Sequence, residues 1–314
     1  MNHRRPLKVL VCSDGSERGA GVVRTAALIT VPGAADTTLL GIREGRGEPD
    51  TIMDALQEQR RLLEREDAPV ELIVAAGEPV AEIVRRTEET DYDLVVIGAF
   101  RRGRRVTDPL TARTYRIAKA IRPPVLVAIG ERGRLAEILL SIGIGGAFTS
   151  KGGSALEITG RVARAAGARV TIFHVVAEPP AMHAGLRRRQ SNTETILRSD
   201  PTLARGLEER QAQLRELGVR SRIRVRHGFV ADEILAERQR EDYDLVIVGS
   251  PPAAGSIRSF LLGGVTREVL DLADCPIMVV RTGLQKDRSG GLARRLGELL
   301  ASAMGRRHPP PDEG

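Results

Sequence analysis

The chain has 314 residues with 48 Lys+Arg against 41 Asp+Glu, a net charge of +7, 41% hydrophobic residues, only 3% aromatic residues and no tryptophan. A length near two domains of roughly 150 residues and an ordinary apolar fraction fit two globular domains with aliphatic cores, and no run approaches the about 18 apolar residues of a membrane-spanning helix. The positive excess favours anionic partners, while Cys12 and Cys275, one per domain, exclude a disulfide framework and read as small buried thiols in a reducing cytosol.

Leu7–Val11 reads as a short apolar strand, followed by Cys12-Ser13-Asp14-Gly15-Ser16. A carboxylate leaving the end of a first parallel strand points into the crevice where open α/β sheets bind ligands, so Asp14 could hold a ribose hydroxyl or a metal. It could equally cap the next helix, and the local sequence favours the cap. The run MNHRRPLKVLVCSDGS is too short in apolar residues for a signal peptide and is interrupted by Asp14, so a soluble, cytoplasmic protein is expected.

Gly19–Ile29 predicts a helix, Thr37–Ile42 a second strand, and Asp50–Glu66 a charged helix with Ile52, Leu56, Leu62 and Leu63 facing inward. A strand at Val70–Ala75, a helix at Val80–Thr90 and a strand at Leu94–Ile97 follow, ending at Gly98. The loop Ala99–Arg105 sets four arginines around Gly103, either a phosphate clamp or a solvated basic loop. A helix at Thr111–Ile121 and a strand at Val125–Ile129 close this half. Strands alternating with helices predict βαβ units around a parallel sheet.

Glu131-Arg132-Gly133-Arg134 reads as a linker. The second half opens with a strand at Ile138–Ile142 and Gly143-Ile144-Gly145-Gly146, a weak likeness to a dinucleotide fingerprint. A helix at Ser154–Ala166 and a strand at Val170–Val176 follow. Pro179–Leu203, with His183 and Arg187-Arg188-Arg189, reads as a polar surface loop leading into a helix at Leu203–Leu217. His174 and His227 lack partners at ligand spacing, so no metal site is expected.

A buried strand at Leu245–Val248 then leads through Gly249 and a turn at Gly263-Gly264 into a helix at Val265–Leu272 and a strand at Pro276–Val280. Glycine lets a phosphate approach the outward-pointing N–H groups of a helix start, which makes this stretch a candidate phosphate cradle. Beyond Thr282, the stripe Leu292, Leu296, Leu299, Leu300, Ala303 and Met304 predicts an amphipathic helix that docks on its own domain or a dimer mate, with membrane-surface association as the alternative. The final PPPDEG reads as disordered.

The two halves repeat. GEPVAEIVRRTEETDYDLVVIG (77–98) aligns without a gap on GFVADEILAERQREDYDLVIVG (228–249) at an offset of 228 − 77 = 151 residues. A repeat of this length is a duplicated domain rather than a solenoid unit. Domains are therefore expected at 1–132 and 133–283, with a helix and tail at 284–314.

Val9–Ser16, the two DYDLV-x-x-G blocks, Phe260–Thr266 and Asp274–Val280 together make the chain resemble a tandem universal stress protein, over all but the insertion and the tail. The resemblance implies two flavodoxin-like, Rossmann-related α/β domains, each a mostly parallel five-stranded sheet with helices on both faces, packed together like a dimer. It also implies ATP or another adenine nucleotide as ligand in many members, with or without Mg²⁺, and a regulatory role without strong catalysis. The ATP-binding members carry an Asp after strand one and the pattern Gly, two residues, Gly, nine residues, Gly, then Ser or Thr.

This chain divides those features. The first half keeps Asp14 and Gly98 but has Arg101 at the second Gly and Thr111-Ala112 at the last pair. The second half keeps Gly249 and Gly263 but has Gly143 for the Asp, Pro252 at the second Gly, a loop one residue longer, and Gly264 where the hydroxyl would be. The implied ligand positions are Ser13, Asp14, Ile42, Gly98 and Arg101, and then Val175, Gly249, Ser250, Gly263, Gly264 and Val265. Weak binding in one half is expected, with the second half favoured. The expected function is stress-linked regulation through degenerate adenine-nucleotide sites, without substantial turnover, as a homodimer or an intrachain domain pair. The alternative is a nucleotide-independent scaffold acting through its dimer surface and C-terminal helix. A nucleic-acid partner is disfavoured by the lack of aromatic stacking residues and of a reader motif.

Overall fold

The first half contributes β1 (Lys8–Ser13), α1 (Glu17–Thr30), β2 (Asp36–Arg43), α2 (Pro49–Arg61), β3 (Val70–Ala76), α3 (Pro79–Glu89), β4 (Leu94–Gly98), α4 (Ala112–Ala120) and β5 (Val125–Ala128). The second contributes β6 (Glu137–Ser141), α5 (Ser154–Ala166), β7 (Arg169–Ala177), α6 (Thr193–Ser199), α7 (Pro201–Glu216), β8 (Ser221–Gly228), α8 (Val230–Glu241), β9 (Leu245–Ser250), α9 (Gly264–Leu272) and β10 (Ile277–Arg281). The computed structural model describes residues 5–44, 49–66, 68–99, 112–141, 143, 154–177, 192–250 and 263–281. The basic loop at 101–105, Thr111, Pro252, most of the insertion and the 292–304 stripe lie outside the described residues.

All ten strands join one sheet in the order β3-β2-β1-β4-β5-β10-β9-β6-β7-β8. Each half is a five-stranded parallel sheet of the same order, because the apolar runs 94–97 and 245–248 carry no polar alternation and must be covered on both faces. Two aliphatic layers, one on each face, run through both halves. The halves meet where β5 and β10 pair antiparallel, with Leu126 opposite Met278. These two residues are repeat equivalents (278 − 126 = 152), so a pseudo-twofold axis passes through the pair.

The DYDLV blocks serve the fold. Asp93 Oδ2 accepts from the Lys8 N–H at 3.0 Å, and Asp244 Oδ2 accepts from the Ala136 and Glu137 N–H groups at 2.8 and 3.0 Å, so each aspartate fixes the start of its half's central strand. Tyr92 and Tyr243 are buried beneath the helices, with the Tyr92 hydroxyl accepting from Arg86 Nε at 3.0 Å.

Ion pairs at matching places have opposite polarity in the two halves. Glu71 on β3 pairs with Arg86 on α3 at 3.0 Å, whereas on the corresponding elements Arg224 of β8 pairs with Glu237 of α8 at 2.6 Å. Likewise Lys8 on β1 faces Asp36 on β2 at 3.8 Å, whereas Glu137 on β6 accepts from Arg169 Nε on β7 at 2.7 Å.

Four expectations need correction. The 50–66 helix stops at Arg61, and Leu62, expected inward, is 46% exposed, because the chain turns there toward the bridge between Arg65 and Ala68. The insertion is not wholly a loop: α6, capped by Asn192, buries Ile196. The Thr193 hydroxyl accepts from the Val225 N–H at 3.0 Å, which occupies the outer edge of the last strand. Strand β8 itself was not anticipated. Finally, Ser16, not Asp14, caps α1, accepting from the Gly19 N–H at 3.2 Å.

Candidate functional site

The C-terminal ends of parallel strands are where such sheets bind ligands, and most of the candidate residues collect there. In the first half Ser13 lies beside Gly41 of β2, with Ile42 one residue further on, and the β1–β4 register of Val11 with Val96 brings Gly98 level with Ser13. Ile42 is buried in the apolar layer. Asp14 is exposed at the rim, and its Oδ1 accepts from the Ser16 N–H at 3.0 Å and the Ser16 hydroxyl at 2.6 Å. Arg101 lies outside the described residues.

The Ser13 hydroxyl is already engaged. It donates to Gln59 Oε1 at 2.6 Å, and the Gln59 amide donates onward to the Ser16 carbonyl at 3.2 Å. Gln59 is 5% exposed, so a side chain of α2 latches the loop between β1 and α1. The loop itself is tight. Gly15 has φ +76°, and a Cβ on it would stand 2.9 Å from Ile52 Cγ1. A Cβ on Gly19 would collide with Ser13 Oγ.

In the second half Val175, Gly249 and Ser250 occupy the same edge, and Gly143 is exposed beside it, with none of the described residues within 4 Å of a Cβ placed on it. Helix α9 starts there. Its N-cap, Gly263, has no side-chain cap bond, none of the described residues comes within 4 Å of a Cβ placed on Gly264, and Val265 is 39% exposed. The buried Thr266 hydroxyl donates to the Gly249 carbonyl at 3.1 Å, which ties the helix start to the end of β9. That tie aims the first N–H groups of the helix, the positive end of its dipole, at the strand edge.

Chemistry beneath the two edges differs. By the 151-residue offset, Gln59 corresponds to Arg210 of α7. Arg210 is buried and donates to the Gly206 carbonyl at 2.5 Å, and burial lowers its pKa. His174 on β7 is half-buried; burial first, and then the Arg210 charge, lower its pKa, which favours the neutral ring. Burial also pushes up both thiols, that of Cys275 to about 11, so both stay protonated at neutral pH.

Gln59, Thr266 and Arg210 were missed in the sequence. Gln59 and Arg210 could have been aligned through the repeat offset, and Thr266 through its match to the buried Thr114. Among the described residues no group of three His, Cys, Asp or Glu side chains could hold a metal ion. None of their helices is long and apolar enough to cross a membrane.

The model of the Universal stress protein family matches residues 7–128 and again 142–281. The universal stress protein YxiE of Bacillus subtilis (strain 168) is 32% identical over 75 residues, 24% of this chain and half the length of that relative. Among solved structures, a functionally unknown protein from Pseudomonas aeruginosa PAO1 matches with a TM-score of 0.64 at 18% identity, covering 96% of this chain and all of that one. A universal stress protein from Archaeoglobus fulgidus DSM 4304 matches with a TM-score of 0.61 at 19% identity, over 87% and 98% of the two chains. At such identities the likeness of these structures is one of fold.

Proposed function

The chain belongs to the universal stress protein family, with two such domains in tandem, and on that premise we propose that it is a stress-response regulator that senses an adenine nucleotide through its second half. The supporting observation is the start of α9, where an N-cap without a side-chain bond and an open Gly264 face the end of β9. A phosphate there gains backbone N–H donors and the helix dipole with no side chain of the described residues to displace. Gly143 brings no carboxylate to repel it, and the buried Arg210 adds positive charge to the same half.

Binding is weak in this reading. Gly264 lacks the hydroxyl that the resemblance calls for, and one lost bond to a charged phosphate costs roughly 1.5–3 kcal/mol, or about one to two decades in affinity. In this reading occupancy rather than turnover is the signal. A second reading is nucleotide-independent partner binding, favoured in the first half by the Gln59 latch that takes up the Ser13 hydroxyl.

The test is a thermal-shift titration with ATP, ADP and AMP, with and without Mg²⁺. Ligand at 100 times Kd adds about 2.7 kcal/mol, a rise of several degrees. Gly264→Asp meets none of the described residues, and its carboxylate should abolish a genuine shift. No shift at millimolar ligand, or a shift that survives Gly264→Asp, overturns the proposal.

A further inference from the structure

Pairing of β5 with β10 uses up the inner edge of each half, so β3 and β8 are the two outer edges of the ten-stranded sheet. Along a strand paired in parallel, successive residues direct their N–H and C=O groups alternately toward the neighbour and away from it. The Gly77 N–H donates to the Arg43 carbonyl of β2 at 3.1 Å, so Glu71, Ile73 and Ala75 also face β2. Leu72, Val74 and Ala76 therefore turn their backbone groups outward. By the repeat offset Val74 corresponds to Val225 of β8, and the two edges are finished differently. The Thr193 hydroxyl, at the start of α6, accepts from the Val225 N–H at 3.0 Å and donates to the Val225 carbonyl at 3.4 Å. Val225 is 0% exposed, whereas Val74 is 38% exposed.

Composition separates the two strands as well. β8 carries Arg222, Arg224, Arg226 and His227, whereas Val70–Ala76 carries only Glu71. Charged side chains and proline are what keep an outer strand from pairing, and Val-Glu-Leu-Ile-Val-Ala-Ala has high β-propensity with little of either. β3 is also complementary to itself. An antiparallel pair of two copies, with its twofold axis at Ile73, sets Val70 against Ala76, Leu72 against Val74 and Ile73 against Ile73. In this register every outward-facing residue falls opposite another, as an antiparallel ladder requires, and the whole strand is used. Glu71 falls opposite Ala75, well apart from its own copy, and keeps its ion pair with Arg86 at 3.0 Å. No like charges meet. An axis at Leu72 would bring the two Glu71 side chains together, and an axis at Val74 would shorten the overlap.

We infer that the outer edge of β3 docks β3 of a second copy of the chain, joining the two sheets edge to edge into one. The self-complementary register, with its apolar rows and separated carboxylates, selects a second copy over an unrelated strand. The contact is isologous and closes at a dimer, because the far edge of each sheet, β8, is occupied by Thr193. This holds whether or not the protein binds nucleotide.

Sedimentation velocity of the full chain at rising concentration should show a reversible monomer–dimer equilibrium. Val74→Lys, at an exposed position, should hold the chain monomeric where the parent is half dimeric. Crosslinking reads the register. Ile73→Cys places a thiol opposite its own copy at the about 4.5 Å Cα separation of a non-hydrogen-bonded pair, within the span of a disulfide. Val74→Cys falls opposite Leu72 and lies about 7–8 Å diagonally from its own copy, beyond that span. Cys12 and Cys275 are buried and stay in place, with the parent chain as the control. In a glutathione redox buffer Ile73→Cys should give about tenfold more covalent dimer on a non-reducing gel than Val74→Cys. Chance collision would give the reverse order, because Val74 is exposed and Ile73 half-buried. A parent chain that stays monomeric at every soluble concentration assigns the edge to another occupant and overturns the inference. So does a dimer indifferent to Val74→Lys, or a Val74→Cys yield equal to or above that of Ile73→Cys.

Discussion

Replacing Arg281 by isoleucine, the residue at the same place in the first half, isolates one guanidinium that spans both halves. Arg281 is 7% exposed, and burial pulls its pKa down to about 10, so it remains charged at neutral pH. It tolerates that burial because its Nη2 reaches the last carbonyls of α4, which have no partner within their own helix and sit at the negative end of its dipole. Hydrogen bonds to a charged group contribute about 1.5–3 kcal/mol each, though three sharing one nitrogen are not additive. Removing the donor also leaves buried carbonyls unsatisfied, so Arg281→Ile should destabilise the chain by about 3–5 kcal/mol. At about 2 °C per kcal/mol for a chain of this size, the melting temperature falls by about 6–10 °C. Urea denaturation with two probes gives the free energy directly. Arg281→Lys keeps the charge on a more compact head and should recover part of the loss. A loss below about 1 kcal/mol for Arg281→Ile would refute the account, because it would mean that water, not Arg281, satisfies those carbonyls.

Other outcomes follow from the same contacts. Burial raises the pKa of the Asp93 carboxyl, but the Lys8 N–H and the guanidinium groups of Arg161 and Arg5 outweigh it and hold the group below its ordinary value. Its stabilisation is therefore complete above the unfolded pKa of about 3.9 and disappears as pH falls through the lower folded value. Asp93→Asn should flatten the acid limb of a stability–pH curve, and an unchanged limb would count against this role. Gln59→Ala should cost about 1–3 kcal/mol by leaving buried Ser13 with a lost partner. If the latch excludes anions from the first half, a thermal shift with ATP should appear in a Gly264→Asp, Gln59→Ala chain and be missing from Gly264→Asp alone. Thr193→Val removes the bond to the Val225 N–H and should speed exchange of that amide about tenfold, measured by hydrogen–deuterium exchange.

The sheet was legible because its strands are buried on both faces. Runs such as Leu94–Ile97 and Leu245–Val248 need no tertiary information to be read, and the 151-residue offset carried each reading from one half to the other. Strand β8 escaped because Arg222, Arg224 and Arg226 supply the face that meets α8, so its alternation pairs apolar residues with charges that are neutralised only after folding. Helix α6 escaped because a short helix buries a single large residue, Ile196. At the candidate edge, the glycines Gly249 and Gly263-Gly264 leave a pattern that can be read in the sequence. Gln59 leaves no local pattern, because its bond to Ser13 joins residues 46 apart. The weight placed on Asp14 as a cap failed because Ser16, two residues later, wins the same competition with a shorter reach to the helix.

The reversed ion pairs bear on how such a chain can assemble. Two tandem copies of one topology share a hazard during synthesis: a strand or helix from one copy can lodge in the vacant place of the other, in a register that the apolar pattern alone would accept. Here a misplaced β8 would bring Arg222 and Arg224 beneath Arg86, and a misplaced β3 would bring Glu71 beneath Glu237. A misplaced β7 would likewise set Arg169 against Lys8. Each exchange replaces an attraction with a repulsion, so the polarity of a few side chains marks these strands with the half to which they belong. Divergence between the repeats would then serve to keep two nearly identical folding problems separate on one ribosome.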